Sequence, residues 1–526
     1  METSPKLTDY ARYADALAAF SRERLWALFD GKGDWLNISH ECVDRHAANA
    51  SRVALRIAHA DGSDRAITFR ELSAASARFA HYLRERGVQP GDRVGIMLEP
   101  SPSFYAALFG TMKLGAIAVP LFTLFGSEGL RMRIDDCGLR LLFVAPDRLT
   151  LAPEFPGVEL VAADDELMSA IRSFPDSFES RTRADDLAMY QYTSGTTRQL
   201  PEAIRHTHRA VVIVTVAALY GTGVRPNDRF FCPSSPAWGH GLWHGTIAPL
   251  ALGAETGAYA GRFDPERLLA ALAAFRTTNL SAAATHYRMM RLSGAAPRYR
   301  YAIQKLSYTG EPIDSESLRF AEETFGTPVC SMYGTTEVGV VLVNYPGADD
   351  FVVKPGSLGK AVPGGRVEVH DAHGNRCVPG AIGEIKVWRK GAWFPTKDLG
   401  HVDEDGYFYH DGRADDVIIS AGWTMSAVEI EDILLTHPDV SAAAAIGIPD
   451  DVRGQIVKAF VVSSAPGSPA LVREIQDLVR AKLSRHEYPR VVEFVPDLPR
   501  TPAGKLNRKA LREAAAASKG PTIDNS

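Results

Sequence analysis

The chain reads as α/β, with a large N-terminal α/β domain of several subdomains followed by a small α+β C-terminal domain. Three observations predict this. At 526 residues the chain exceeds what one hydrophobic core usually organises, so more than one domain is expected. Helical periodicity alternates with short apolar runs of strand length through most of its length, the pattern of a sheet flanked by helices. After Gly383 the pattern changes to alternating runs of antiparallel type, and then to a smaller mixed module.

The elements follow in order. Thr68 to Glu71 reads as a capping box, and Leu72, Ala75, Phe79 and Leu83 keep helical spacing until Gly87 stops the helix. Gln89-Pro90-Gly91-Asp92 makes a turn into a strand over Arg93 to Leu98. The most apolar stretch, Phe104 to Phe125, is interrupted by Gly110, Lys113, Gly115 and Pro120. That favours a buried helix and then a strand over a membrane span, so no membrane partner is expected. Val158 to Val161, Arg229 to Phe231 and Leu280 to Ala284 read as further strands, and the Ala-rich Leu268 to Phe275 and Ala514 to Ala517 as helix. Glu384 to Trp388 and Gly406 to His410 read as antiparallel strands, and Arg413-Ala414-Asp415-Asp416 introduces the small module. The boundary is therefore placed between 413 and 414, giving domains 1–413 and 414–526.

Composition excludes several functions. With 45% hydrophobic and 23% charged residues the chain is ordinary for a soluble protein. A net charge of -5 without a basic arm gives no nucleic acid partner. Cys42, Cys137, Cys232, Cys330 and Cys377 are odd in number, far apart and lack any C-x-x-C pair, which speaks against a disulfide framework and a zinc site and for a reducing compartment. Met1 to Arg12 carries Glu2 and Asp9 and does not resemble a signal peptide, so a cytoplasmic location is expected.

The chemistry is concentrated in Tyr192-Thr193-Ser194-Gly195-Thr196-Thr197, which runs through Arg198-Gln199-Leu200-Pro201-Glu202 to His206-Thr207-His208. Hydroxyls and a glycine this dense supply many donors in a small volume and suit a polyphosphate. No glycine-lysine-serine/threonine triplet ends the loop, so it is not the common P-loop. Further blocks follow: Tyr308-Thr309-Gly310-Glu311-Pro312, Tyr333-Gly334-Thr335-Thr336-Glu337, Thr396-Lys397-Asp398, Gly412-Arg413-Ala414-Asp415-Asp416 and Pro502-Ala503-Gly504-Lys505-Leu506-Asn507-Arg508. Together, and in this order, they resemble the AMP-forming adenylate family of acyl-CoA synthetases, carrier-loading adenylation domains and luciferases, over nearly the whole chain from Asn37 to Ala516.

The resemblance implies a division of labour. Thr193, Ser194, Gly195, Thr196 and Thr197 would cradle the β- and γ-phosphates of ATP, while Gly310, Glu311, Pro312 and Tyr333, with Gly334 and Thr335 beside it, would border the nucleotide. Thr336 would donate to the α-phosphate and Glu337 would hold Mg2+, a hard cation that prefers oxygen ligands. Asp398 and Arg413 would hold the ribose hydroxyls. Lys505, on a Pro- and Gly-rich loop, would reach the α-phosphate during adenylation and leave when the small, mobile domain turns about a hinge at Asp415. Gly422 and Trp423 would then line a tunnel for CoA.

For the acid, Gly334 stands where acetate-specific relatives place a blocking tryptophan, and Trp238, His240, Gly241 and His286 fall where the acyl pocket is expected. The opening Asn37-Ile38-Ser39-His40-Glu41-Cys42 looks closest to the medium-chain and benzoate-type synthetases. The expected reaction is therefore activation of a medium-chain or aromatic carboxylic acid to acyl-AMP, then transfer to CoA. The alternatives are an enzyme that loads a separate carrier protein and a relative that binds without turnover.

Two positions depart from the family's pattern. The phosphate loop is one residue longer than usual and has Glu202 where a lysine is expected, and Thr424 replaces an arginine found in acetyl-type relatives. An anion near a departing pyrophosphate is unfavourable unless another cation compensates, and Arg198 is the candidate. Arg198→Ala is accordingly expected to raise the apparent KM for ATP by about tenfold in initial-rate assays, the weight of one charge-assisted contact.

Overall fold

The computed structural model describes residues 5–192, 203–310, 313–335, 338–413, 418–420, 423–425, 427–450, 454–483, 488–500 and 506–517. They pack as two compact units: Met1–Gly310 with Phe320–Val353 and Ala361–Gly365, and Glu311–Arg319 with Lys354–Lys360 and Arg366–Ser526. This grouping divides the chain elsewhere than the boundary at 413/414 expected from sequence, and Asp415, the expected hinge, lies outside the described residues.

In the first unit a 6-stranded sheet runs in the order Glu159–Ala162, Leu141–Val144, Arg93–Met97, Ile117–Pro120, Leu187–Gln191, Ile204–Thr207. All neighbours are parallel except the last pair. The helix before it starts as its sequence predicts: Glu71 N–H donates to Thr68 Oγ1 at 3.1 Å, and Thr68 N–H donates to the Glu71 carboxylate at 2.8 Å. Helix Phe69–Glu85 ends two residues before Gly87, which takes a left-handed φ of 82°. The apolar stretch is a buried helix, Pro102–Leu114, followed by the strand Ile117–Pro120. Among the described residues no helix is long and apolar enough to cross a membrane.

Gly110 owes its identity to the packing of these two helices, because a Cβ there would lie 2.8 Å from both Phe79 Cβ and Ser76 O. Lys113, one turn further, is almost fully buried and donates to Asp44 at 2.7 Å. A lone ammonium would not survive there, so the pair is one condition of the packing.

A second sheet of this unit runs Gly339–Val343, Val329–Thr335, Lys305–Thr309, Asn279–Ala283, Arg229–Cys232, Glu255–Ala260, Val53–His59, Asp64–Thr68. Its inner strands are parallel and its first and last pairs antiparallel. Every residue of Asn279–Ala283 is buried, as a strand covered on both faces must be.

The second unit contains an antiparallel meander, Val367–His370, Gly383–Arg389, Ala392–Val402 and Phe408–Arg413, in line with the alternating runs read from sequence. Its later part is an α+β module. Val440–Asp450 pairs antiparallel with Gly454–Ser463, which pairs parallel with Val491–Phe494. Ile430 and Leu434 of Ala427–Leu434 and Ile475 and Val479 of Pro469–Lys482 form one core with Ala445 and Val457.

Gly110→Ala is expected to lower stability by about 1–2 kcal/mol, because the clash between the helices outweighs the better helix propensity of alanine. A shifted denaturant midpoint with an unchanged slope would register it.

Candidate active site

The site residues of the first unit stand where parallel strands end. Ser234 to Gly241 follows Arg229–Cys232, His286 follows Asn279–Ala283, Gly310 follows Lys305–Thr309, and Tyr192, the last described residue before 193–202, follows Leu187–Gln191. Carboxyl ends of parallel strands are where an α/β sheet leaves an accessible crevice.

The segment His240–Ile247 is a π-helix, with Thr246 Oγ1 donating to Gly241 O at 2.8 Å. Such wide turns cost backbone geometry and gather at functional sites. Gly241 is demanded by its neighbours, since a Cβ would collide with the carbonyl oxygens of Ser234 and Ser235. Gly245 packs likewise on Cys232, where a Cβ would lie 2.9 Å from the thiol. His240 is buried, with Nδ1 3.0 Å from Ser234 Oγ and Nε2 2.9 Å from Ser281 Oγ. Both ring nitrogens are thus occupied by hydroxyls, and Trp238 meets the imidazole edge-on at 5.4 Å. His286 accepts Ala283 N–H at 3.2 Å and stands edge-on to Phe263.

These imidazoles are held neutral. Burial lowers His244 and His286 to about 4, and burial, reinforced by His244 and His286 themselves, takes His240 well below its usual value. His206, on strand Ile204–Thr207, is lowered to about 4 by burial and packs on Trp243 at 4.6 Å. Trp243 Nε1 in turn donates to Gln191 Oε1 at 2.8 Å. Gln191, His206 and Trp243 thereby tie the strands flanking the loop to the π-helix, a link that sequence reasoning missed. The one sequence signal was the run of glycines at 239, 241 and 245 among aromatic and histidine residues, which marks close backbone approach.

Among the residues expected to border the nucleotide, Gly310 takes a left-handed φ of 99°, and Thr309 Oγ1 before it donates to Met332 O at 2.7 Å, joining neighbouring strands. Tyr333 is half-buried beside a register shift at Tyr333/Gly334. A Cβ on Gly334 would collide with Gly339 O, so the hairpin itself requires glycine here, a reason separate from pocket depth. Thr335 ends the strand.

In the second unit Asp398 and Arg413 are direct register partners, as a hairpin over Thr396 to Arg413 requires. Asp398 is 6% exposed, its N–H donates to Thr396 Oγ1 at 3.2 Å, and His410 Nε2 lies 3.8 Å from its carboxylate. The preceding Lys397 has φ 65°, strain that a non-glycine residue tolerates only where its surroundings impose it. The described residues on either side of 501–505 are paired: Arg500 bridges to Leu506, and Asn507 N–H donates to Pro499 O at 2.8 Å. Arg508 then donates to Glu431, which also accepts Ala445 N–H at 2.7 Å, and Leu511 is buried. Trp423 pairs with Ser420 in a short antiparallel ribbon. Thr193, Ser194, Gly195, Thr196, Thr197, Arg198, Glu202, Glu311, Pro312, Thr336, Glu337, Asp415, Gly422 and Lys505 lie outside the described residues.

A family model described as AMP-binding enzyme matches residues 43–393, and one described as AMP-binding enzyme C-terminal domain matches 429–505. The chain belongs to the AMP-binding enzyme family. It is 30% identical to acetyl-coenzyme A synthetase of Bacillus subtilis (strain 168) over 519 residues, 91% of this chain and 90% of that one. It is 31% identical to 3-hydroxybenzoate–CoA ligase of Aromatoleum sp. (strain CIB) over 493 residues, 87% of this chain and 93% of that one. Among solved structures it resembles the anthranilate CoA ligase AuaEII in complex with anthranoyl-AMP, with a TM-score of 0.83, 27% identity, and coverage of 95% of this chain and 100% of that one. The motifs and these matches agree: the chain is an AMP-forming acid–CoA ligase.

The neutral histidines make stability pH-dependent. Their folded values lie below the ordinary 6.5, so the unfolded chain takes up protons first as pH falls. Stability is expected to be full above about pH 6.5 and lost towards about pH 4. Replacing His244 with Asn should flatten the dependence of unfolding free energy between pH 5 and 6 by up to about 1.4 kcal/mol per pH unit, measurable by denaturant titration.

Proposed function

We propose that this ligase activates a medium-chain or aromatic carboxylic acid with ATP, releases pyrophosphate, and transfers the acyl group to CoA. The observation that carries the choice of acid is the character of the strand ends around the π-helix. Trp238, Trp243, His240 and His286 offer aromatic edges and imidazoles held neutral, surroundings suited to an uncharged tail larger than acetate. Relatives named for acetate and for 3-hydroxybenzoate are about equally similar, so overall identity does not choose between them.

Adenylation brings two anions together, and the chain must supply donors and cations at the reacting phosphorus. Thr193 to Thr197 would hold the terminal phosphates, Thr336 and Lys505 would meet the α-phosphate, and Asp398 and Arg413 would hold the ribose. Mg2+, on Glu337, would neutralise phosphate charge when bound. With its loop pinned at Arg500/Leu506 and its following helix tied to Glu431, Lys505 would travel with the α+β module about Asp415, exchanging places with Gly422 and Trp423 along the CoA path. This makes 1–413 and 414–526 the moving parts. A cytoplasmic setting accords with five unpaired thiols.

The test is pyrophosphate release with ATP, magnesium and a panel of acetate, hexanoate, benzoate and hydroxylated benzoates, with CoA, with a phosphopantetheinylated carrier, or with neither. Sustained release with hexanoate or a benzoate and CoA is expected; preference for acetate or for the carrier would overturn the assignment. Lys505→Ala should cut pyrophosphate release by about 10²-fold or more while leaving transfer from supplied acyl-AMP to CoA largely intact.

A further inference from the structure

Tyr333 stands on a short stretch of strand with one main-chain neighbour. Val329–Thr335 pairs parallel with Lys305–Thr309 as far as Ser331, and from Met332 onward it pairs antiparallel with Gly339–Val343. That second ladder has two pairs, Met332 with Val343 and Tyr333 with Leu342, before its register shifts at Tyr333/Gly334. A bulge re-aims the side chains beside it, and two pairs resist its movement poorly.

Asn344 adds a third rung. Its N–H donates to Ser331 O at 3.2 Å and its side-chain Oδ1 accepts Ser331 N–H at 2.7 Å, so one residue takes both main-chain groups of Ser331. In an ordinary antiparallel pair the partner's own carbonyl would accept that N–H. Here the chain turns away at Tyr345, whose φ is 50°, and the Asn344 carbonyl faces the Cys330 thiol at 3.8 Å instead. The side-chain amide stands in for it. Asn344 and Ser331 are buried, so removing the acceptor would leave the Ser331 N–H with no water to replace it.

The turn is imposed by packing. A left-handed φ is unfavourable for a residue as bulky as tyrosine and persists where its surroundings dictate it. The Tyr345 ring is buried among Tyr13 at 4.6 Å, Phe351 at 5.1 Å and Tyr220 at 5.9 Å, and its Oη donates to Ala361 O at 2.5 Å. The segment that supplies Tyr13 is tied to the same corner, by Ala14 N–H to Asp350 at 3.1 Å and Asp349 N–H to Ala11 O at 3.0 Å.

We propose that Asn344 is a positioning residue for the adenine of ATP: it grips Ser331 where the parallel ladder ends and, with Tyr345 holding the turn, fixes the stretch that presents Tyr333. The inference rests on reading Tyr333 as a border of the adenine.

The experiment is titration calorimetry of the full chain with AMP and with pyrophosphate, magnesium present, for Asn344→Ala, Tyr345→Phe and Tyr333→Ala. AMP carries the adenine, whereas pyrophosphate binds through phosphate oxygens alone. Asn344→Ala is expected to raise Kd for AMP about tenfold and to leave Kd for pyrophosphate within about twofold. Tyr345→Phe keeps the ring and loses the bond to Ala361, so Kd for AMP should rise about two- to threefold; this variant carries the test if Asn344→Ala does not fold. If the two constants rise together, or AMP binds the Asn344 and Tyr345 variants as tightly as the parent while Tyr333→Ala weakens it, the positioning role is wrong. If Tyr333→Ala leaves Kd for AMP unchanged, the reading of Tyr333 fails and the inference with it.

Discussion

A parallel sheet has to be covered on both faces, and that constraint arranges most of the first unit. Strands such as Ile117–Pro120 and Asn279–Ala283 are buried at every residue and leave no room for chemistry along their length. Polar function is displaced to the strand ends, where the chain turns outward. Trp238, His240, His286 and Gly310 are all found there, after strands of the second sheet, and Tyr192 follows Leu187–Gln191 of the other.

Crowding at those ends explains the glycines better than flexibility does. Gly241 and Gly334 stand where a neighbouring carbonyl would meet a Cβ, and Gly245 stands against a buried thiol. The same crowding dries the region and keeps its imidazoles neutral. His240 shows the balance: removed from water, it satisfies both nitrogens with Ser234 and Ser281 and so contributes shape and uncharged polarity rather than a proton.

In the second unit the Glu431 carboxylate joins helix Ala427–Leu434, strand Val440–Asp450 and helix Arg508–Ala517. Lys397, held at positive φ next to Asp398, indicates backbone imposed by the hairpin rather than chosen by the residue.

Much of this was legible in the sequence because it is local. The capping box at Thr68, the stop at Gly87, the helix and strand within Phe104 to Phe125 and the Asp398/Arg413 hairpin depend on residues near one another in the chain, and motif order identified the family. What the sequence could not express depends on residues far apart. The π-helix has no periodic signature, the reason for Gly334 lies in a carbonyl across a hairpin, and Gln191, Trp243 and His206 form a link only once strand and helix are packed. Asp136 is the plainest case: an exposed acid on an ordinary helix by sequence, it gains two hydrogen-bond partners only because folding brings Tyr192 and Ala203 to one of its oxygens. Residue types in a fixed order define the chemistry available to this chain, whereas which groups are dry, neutral and held in place follows from packing, because burial and long-range hydrogen bonds exist only once distant segments meet.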